Sequence, residues 1–436
     1  MPDRTAYDLS HHVATCGEVG RLQMFSRYPV LPGDSFEIDI EGIIRMSPLR
    51  RPVVLDSKWL FAAFYVPLRH TYGDALVEWI KDGVDGTALT DTQKAITTTS
   101  TDYVHEIPKP YLCYKDDNSK IPKHIVQDYN EIWNWFFRDP QDTELAKTYL
   151  AVDECQNNFG YKIANIKTLT SSMRKQGRQI DAADYQVSAA SDIVDIRDFH
   201  DKILRYRSET GREYFATRYN EILEWGWGSN PNTDTDPRPT ILGTSEEWLS
   251  GYEVAGMDDA TLGQVVGKSS GAFRLRVPRR FIPEHGTIYI VGALRYPPVY
   301  KNEQHRLDDV SKWNYHRLLA EPGFSDKVQR EGWAMDDLFA GGGNTVIGEY
   351  PNLMHYRTHP NYVHPYFTER DVGYPYLDSE GNNLTNLWYT EEYGQEGRAI
   401  FQTELLAHWQ FTGISKVLAI RPIAPPSAGL LLTGGF

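Results

Sequence analysis

Cysteine is scarce: the 436 residues contain three, Cys16, Cys113 and Cys155, with no C-x-x-C pair. That excludes a disulfide framework and a zinc ribbon, and free thiols are expected. Long hydrophobic runs are also missing. The longest falls far short of the roughly 20 residues needed to span a bilayer, and Met1-Pro2-Asp3-Arg4 lacks the apolar core of a secretory signal. The expectation is a soluble chain, cytoplasmic at synthesis, with no membrane contact. Positive charge is in deficit, with 45 Lys and Arg against 59 Asp and Glu and a net charge of −14. A generic polyanion binder is thereby excluded, because contact with nucleic acid requires Lys and Arg to neutralise phosphates. Any DNA contact has to come from local basic patches, aided by cations, polyamines or a separate basic protein.

Catalytic signatures are lacking too. No Gly-x-Ser-x-Gly elbow provides a serine nucleophile. Gly341-Gly342-Gly343-Asn344-Thr345 has the glycines of a phosphate loop but not the Lys-Ser/Thr that follows them, and reads as a surface loop. His355, His359 and His364 are the best transition-metal candidates. Against them, Pro351, Pro360 and Pro365 disfavour a helix, and no Glu stands between the first two histidines; they read as loop or interface residues. Neither Asp116-Asp117-Asn118 nor Asp234 with Asp236 follows the oxygen spacing of an EF-hand. The chain is therefore read as no enzyme and as having no cofactor. A divalent cation such as calcium would suit an acidic protein where copies meet, with no ligand set named.

What the chain has is aromatic bulk, 13% with 27 Tyr and 11 Trp, which suits both cores and subunit contacts. It also has strand periodicity. From 33 to 46, Phe36, Ile38 and Ile40 alternate with Ser35, Glu37, Asp39 and Glu41, the pattern of a half-buried strand. Residues 52 to 66 end in an apolar run, as in a strand covered on both faces. Further strands are read at 285–296 and 402–420, where Leu405, Ala407, Trp409 and Phe411 alternate with polar residues. Both chain ends thus supply strands, with long insertions between them. Ile125, Tyr129, Ile132 and Phe136 mark an amphipathic helix after Pro122. Shorter helices are read at 73–81, around Ile196, Phe199 and Ile203, and around Phe215, Tyr219 and Ile222. Loops are read at 226–240, 341–343 and 373–383, and an extended arm from Pro425 to Phe436.

Basic residues cluster at Arg50 and Arg51, at Arg174, Lys175 and Arg178, at Arg205, Arg207 and Arg212, and at Arg274, Arg276, Arg279 and Arg280. The last two sets interleave with Tyr206, Tyr214, Phe273 and Phe281, the combination of stacking and phosphate contact used on single strands. Salt bridges within an acidic protein are the alternative use of the same arginines. Arg50, Arg51, Arg205, Arg207, Arg279 and Arg280 are taken as the candidate nucleic-acid contacts.

One run, Pro278-Arg279-Arg280-Phe281-Ile282-Pro283-Glu284-His285-Gly286-Thr287-Ile288-Tyr289-Ile290 with Leu294-Arg295-Tyr296-Pro297-Pro298, is the most distinctive in the chain. Other blocks accompany it in order. They are Asp8-Leu9-Ser10-His11 with Gly20-Arg21-Leu22; Pro32-Gly33-Asp34-Ser35-Phe36-Glu37 with Ser47 to Arg51; and Phe64-Tyr65-Val66-Pro67 with Arg69-His70 and Trp79 to Gly83. Asn118 with Lys120 to His124, and Trp248 to Tyr252 with Leu262-Gly263-Gln264, complete the series. The chain resembles the major capsid proteins of phiX-type microviruses, the Microviridae. That resemblance implies a mainly β fold: an eight-stranded antiparallel viral jelly roll with long helical and loop insertions. Residues 1–436 are then one domain, with strands mainly within 30–70 and 280–425 and insertions mainly within 71–280 and 300–400. It implies pentamers closing into a T=1 icosahedral shell of sixty copies around circular single-stranded DNA, assembled in the host bacterial cytoplasm and forming the virion capsid. Implied partners are a spike protein, scaffolding proteins, a pilot protein and a small basic DNA-packaging protein. Two other classes fit the aromatic content: a β-rich carbohydrate-binding or carbohydrate-active protein, and an adhesion module binding sugars at Trp225 and Trp227.

Overall fold

A computed structural model describes chiefly residues 4–17, 22–48, 57–82, 120–137, 218–231, 237–255, 265–295 and 408–423, with short stretches between them. Five strands open the chain: β1 (Thr5–Asp8), β2 (His11–Gly17), β3 (Gln23–Val30), β4 (Asp34–Met46) and β5 (Ser57–Pro67). Helices α1 (Leu68–Asp82), α2 (Lys123–Phe136) and α3 (Tyr219–Trp227) follow. Four more strands complete the sheet: β6 (Thr240–Ala255), β7 (Val265–Ile282), β8 (Gly286–Arg295) and β9 (Trp409–Arg421). Short pairs at 95–97 with 120–122, 300–301 with 362–363 and 330–334 with 346–351 lie outside it.

The sheet runs β1-β9-β4-β7-β6-β5-β8-β3, and β2 lies beside β9 in the same lane as β1. Nine strands therefore form a path eight strands wide, and every pairing along it is antiparallel. The sixteen residues of β6 bend the sheet. The N-terminal part pairs with β5 through Thr240–Leu249, and the remainder pairs with β7 through Ser250–Ala255. The result is a curled half-barrel with the architecture of a jelly roll. Between its halves lies the main core, where Phe25, Trp59, Phe61, Trp409 and Phe411 pack ring against ring at centroid separations of 4.6 to 6.1 Å.

The apolar run of β5 has a physical cause. Successive residues of a strand point to opposite faces. Trp59, Phe61, Ala63 and Tyr65 enter the main core, whereas Ala62, Phe64 and Val66 enter a second cluster closed by Ile125, Val126, Tyr129 and Ile132 of α2. Strand β8 divides the same way, with Ile288 and Ile290 on one side and Tyr289 and Val291 on the other. This half of the sheet is buried on both faces, and the half built on β4, β7 and β9 has only one face in the core.

Several elements differ from the sequence reading. Strand β6 and nearly all of β7 fall inside the span 71–280 taken as insertion; in β7 the buried alternation Phe273, Leu275, Val277 is interleaved with arginines, so the segment has the composition of a charge cluster. Helix α1 begins at Leu68, earlier than read, and is broken at Gly73, whose φ of 53° is left-handed. Phe136 is 39% exposed, and Phe137, one residue past the helix, takes the core position instead. Trp227 is not a free aromatic, since its ring meets His285 edge-on at 4.9 Å. Strand β9 is described from Trp409; Leu405 and Ala407 lie outside the described residues, as do Ile196, Phe199, Phe215, the 341–343 and 373–383 loops and the C-terminal arm.

Candidate nucleic-acid interface

Three neighbouring strands, β9, β4 and β7, present their outward side chains as a charged ladder. The register sets Lys416 opposite Asp39 and Ile414 opposite Glu41; on the other flank Arg276 faces Asp39 and Arg274 faces Glu41. Cross-strand neighbours on one face interact, and here the contacts run diagonally. Arg274 donates from Nε to Asp39 Oδ1 at 2.9 Å and from Nη2 to Oδ2 at 2.5 Å. Lys416 pairs with Glu41, and Arg279 Nη2 approaches Glu37 Oε2 at 3.4 Å. The hydrogen bond from Arg274 holds the Asp39 carboxyl below the usual carboxylate range, with the charges of Lys416 and Arg276 adding to it.

The cations exceed the anions on this face. Arg276 makes no ion pair among the described residues, and Arg45 on β4 and Lys268 on β7 are exposed farther along the same strands. At one end Phe281 is 50% exposed, and the Arg4 guanidinium lies over its ring at 5.4 Å, a favourable cation–π arrangement. The floor of the face dips where Gly42 and Gly413 stand in register. A Cβ on Gly413 would sit 2.4 Å from the Glu41 carbonyl and 2.6 Å from the Phe411 ring, so the two strands close over that ring only without side chains.

The six candidate arginines fare differently. Arg279 belongs to this face. Arg280 is exposed but stands in register with core-facing Phe36, so strand alternation separates it from Arg279 and the two do not form one patch. Arg50, Arg51, Arg205 and Arg207 lie outside the described residues, as do Tyr214, Arg212 and the 174–178 cluster. Phe273, read as a stacking residue, is 6% exposed in the main core; it sits on the inward phase of β7. Tyr206 is 48% exposed. The residues that sequence reasoning missed are Arg4, Glu37, Asp39, Glu41 and Lys416, which meet only through strand pairing across more than two hundred residues.

The distinctive run from Pro278 to Ile290 makes the β7–β8 turn and ties four elements together. Arg69 of α1 grips Glu284 through two hydrogen bonds, Tyr65 donates to the Glu284 carbonyl at 3.0 Å, and Ser229 donates to the Pro283 carbonyl at 2.7 Å. Burial, aided by Glu284 and Tyr219, pushes the Tyr65 hydroxyl well above its ordinary pKa. Burial also lowers His285 to about 4, so it stays neutral under Trp227. At Gly286 a Cβ would meet the Tyr65 ring at 2.4 Å. The contacts of its turn, Pro283 to Gly286, are structural.

No group of three or more His, Cys, Asp or Glu side chains able to hold a metal occurs among the described residues. His355 is buried in a short 3-10 turn (Met354–Tyr356), and His359, His364 and the acidic pairs at 116–118 and 234–236 lie outside the described residues. Cys16 is an exposed free thiol; Cys113 and Cys155 are outside the described set. No helix among the described residues is long and apolar enough to cross a membrane.

Comparison with known proteins agrees along nearly the whole chain. The sequence model of the family described as "Capsid protein (F protein)" matches residues 1–173 and 161–424. Capsid protein F of Enterobacteria phage phiK is 32% identical over 414 residues, 93% of this chain and 93% of that protein. Capsid protein F of Escherichia phage alpha3 is 32% identical over 416 residues, again 93% of each. For Escherichia phage G4 the figures are 32% over 414 residues, 93% and 92%. These relatives are structural capsid proteins and not enzymes, which removes the carbohydrate-active reading, and a place in the virion follows. The chain belongs to the capsid protein F family of phiX-type bacteriophages.

Proposed function

We propose that this chain is the major capsid protein of its phage, forming pentamers that close into a T=1 shell of sixty copies around a circular single-stranded DNA genome. Assembly takes place in the host bacterial cytoplasm with scaffolding proteins, and a spike protein, a pilot protein and a small basic DNA-packaging protein complete the particle. The observation that carries the DNA part is the β9-β4-β7 face, open among the described residues and richer in cations than a chain of net charge −14 otherwise suggests. A stacking ring, Phe281, stands beside the arginines, as non-specific single-strand binding requires. Exposed aromatics elsewhere, Trp79, Trp135, Trp225 and Trp248 among them, supply material for contacts between copies. Each such contact is weak alone, and closure of a shell supplies cooperativity.

Sedimentation of the purified chain, then electron microscopy of any fast fraction, tests the assembly. Pentamers or closed particles are expected, and a strict monomer even when co-expressed with the neighbouring phage genes would overturn the reading.

A further inference from the structure

Resting on the reading of the β9-β4-β7 face as a DNA contact, we propose that β4 is a built-in competitor for that face: Glu37, Asp39 and Glu41 occupy the cations that the genome's phosphates would otherwise take. The three carboxylates fall on alternate residues of one strand, so they repeat at about 6.6–6.8 Å. Successive phosphates of an extended single strand are spaced on the same order. Each carboxylate holds one cation from a flanking strand, Glu37 holding Arg279, Asp39 holding Arg274 and Glu41 holding Lys416. The arrangement is a row of anions flanked by the arginines of β7 on one side and by Lys416 of β9 on the other. A nucleic-acid backbone laid on the face would present the same row from outside.

The contacts are of the kind that exchanges. The side chains of Arg274, Arg279 and Lys416 are 59%, 52% and 53% exposed, and exposed ion pairs are held weakly and screened by salt. Without DNA the carboxylates keep a cluster of like charges from repelling itself apart. With DNA the same cations turn outward to phosphate, while Arg276, Arg45 and Lys268 supply contact from the start. Binding is thereby restrained, so that an isolated subunit holds single strands loosely.

The test compares full-length variants by the anisotropy of a labelled oligo-thymidine strand over a range of salt concentrations. Glu37→Gln, Asp39→Asn and Glu41→Gln together are expected to tighten binding roughly tenfold or more. The slope of log K against log salt should steepen by about two, since three freed cations each add roughly 0.7. A control, Asp74→Asn with Glu78→Gln and Glu224→Gln, makes the same change of net charge on the helices; it should leave the slope unchanged. Glu37→Gln alone, which frees only Arg279, gives a smaller change of the same sign and guards against a misfolded triple variant.

If control and triple variant tighten equally, net charge is the cause and the proposal falls. If the triple variant is unchanged while Arg276→Ala weakens binding, the face binds DNA but β4 does not compete for it. If neither changes anything, the DNA reading of this face falls, and the competition with it.

Discussion

Arg69 and Glu284, 215 positions apart, meet as a two-pronged pair, with Nε to Oε2 at 3.0 Å and Nη2 to Oε1 at 3.2 Å. Their side chains are only 13% and 7% exposed, so removing one partner strands a charge in a region that water barely reaches. Glu284→Ala is expected to lose about 3–5 kcal/mol, read as a drop in the urea midpoint of the subunit. The double replacement Arg69→Met with Glu284→Leu should lose far less, because no lone charge remains. Equal losses for the single and double variants would show that packing, not charge, is what the pair provides.

Stability should pass through a maximum near pH 6.5. Burial raises Asp128 to about 8, although Tyr289 and Thr71 donate to its oxygens at 2.7 and 2.8 Å. A carboxyl raised in the folded state contributes stability that is lost as pH climbs from 3.8 to about 8. Burial lowers His124 and His285 from 6.5 to about 4, with Arg27 adding at His124. A lowered histidine contributes stability that is lost as pH falls through that window. Between pH 4 and 6.5 the two histidines outweigh the one carboxyl and stability rises; above 6.5 the histidines no longer act and Asp128 makes it fall. Urea midpoints at about pH 5, 6.5 and 8 would trace this dome, and Asp128→Asn should flatten its alkaline side. A profile that keeps rising to pH 8 in the unsubstituted chain would refute the assignment.

Phe137→Ala should cost about 3 kcal/mol and Phe136→Ala about 1. The first empties a place in the cluster beneath α2, where Phe137 is 8% exposed; the second trims a 39% exposed ring that touches Phe64 at 4.7 Å. Thermal melts of the two variants decide it, and the reverse order would mean that the end of α2 turns differently.

Gly413→Ala is expected to destabilise by about 1–3 kcal/mol, and trimming Phe411 to Leu should not restore it. The added methyl would strike the Glu41 carbonyl as well as the ring. Full rescue in the double variant, judged by melting temperature, would show that the backbones of β4 and β9 part easily at this point.

How much of this was legible in the sequence depends on whether a residue's partner is local. The alternation in β4 located its buried row, Phe36, Ile38 and Ile40, because a period of two needs no partner to be seen. The i, i+4, i+7 spacing likewise located α2, but its last turn could be placed only to within a residue, hence Phe136 for Phe137. The ladder was not legible, because Asp39, Arg274 and Lys416 share no local pattern and register is set by pairing over hundreds of residues. Arg279 and Arg280 look equivalent in sequence; an irregularity between β4 and β7 at Phe36/Ile38 and the flip of successive side chains set them apart.

Strand β9, the last of the described strands, lies between β4 on one side and β1 with β2 on the other. During synthesis, then, the early strands wait with bare edges until residue 421 leaves the ribosome. At about 5–20 residues per second that delay is tens of seconds, and contacts spanning nearly the whole polypeptide slow folding further. A nascent chain in this condition offers its unsatisfied edges to any sister chain on the same message. Timing, rather than final stability, is where such a topology is most vulnerable, and a chaperone holding the first fifty residues would act at the critical stage.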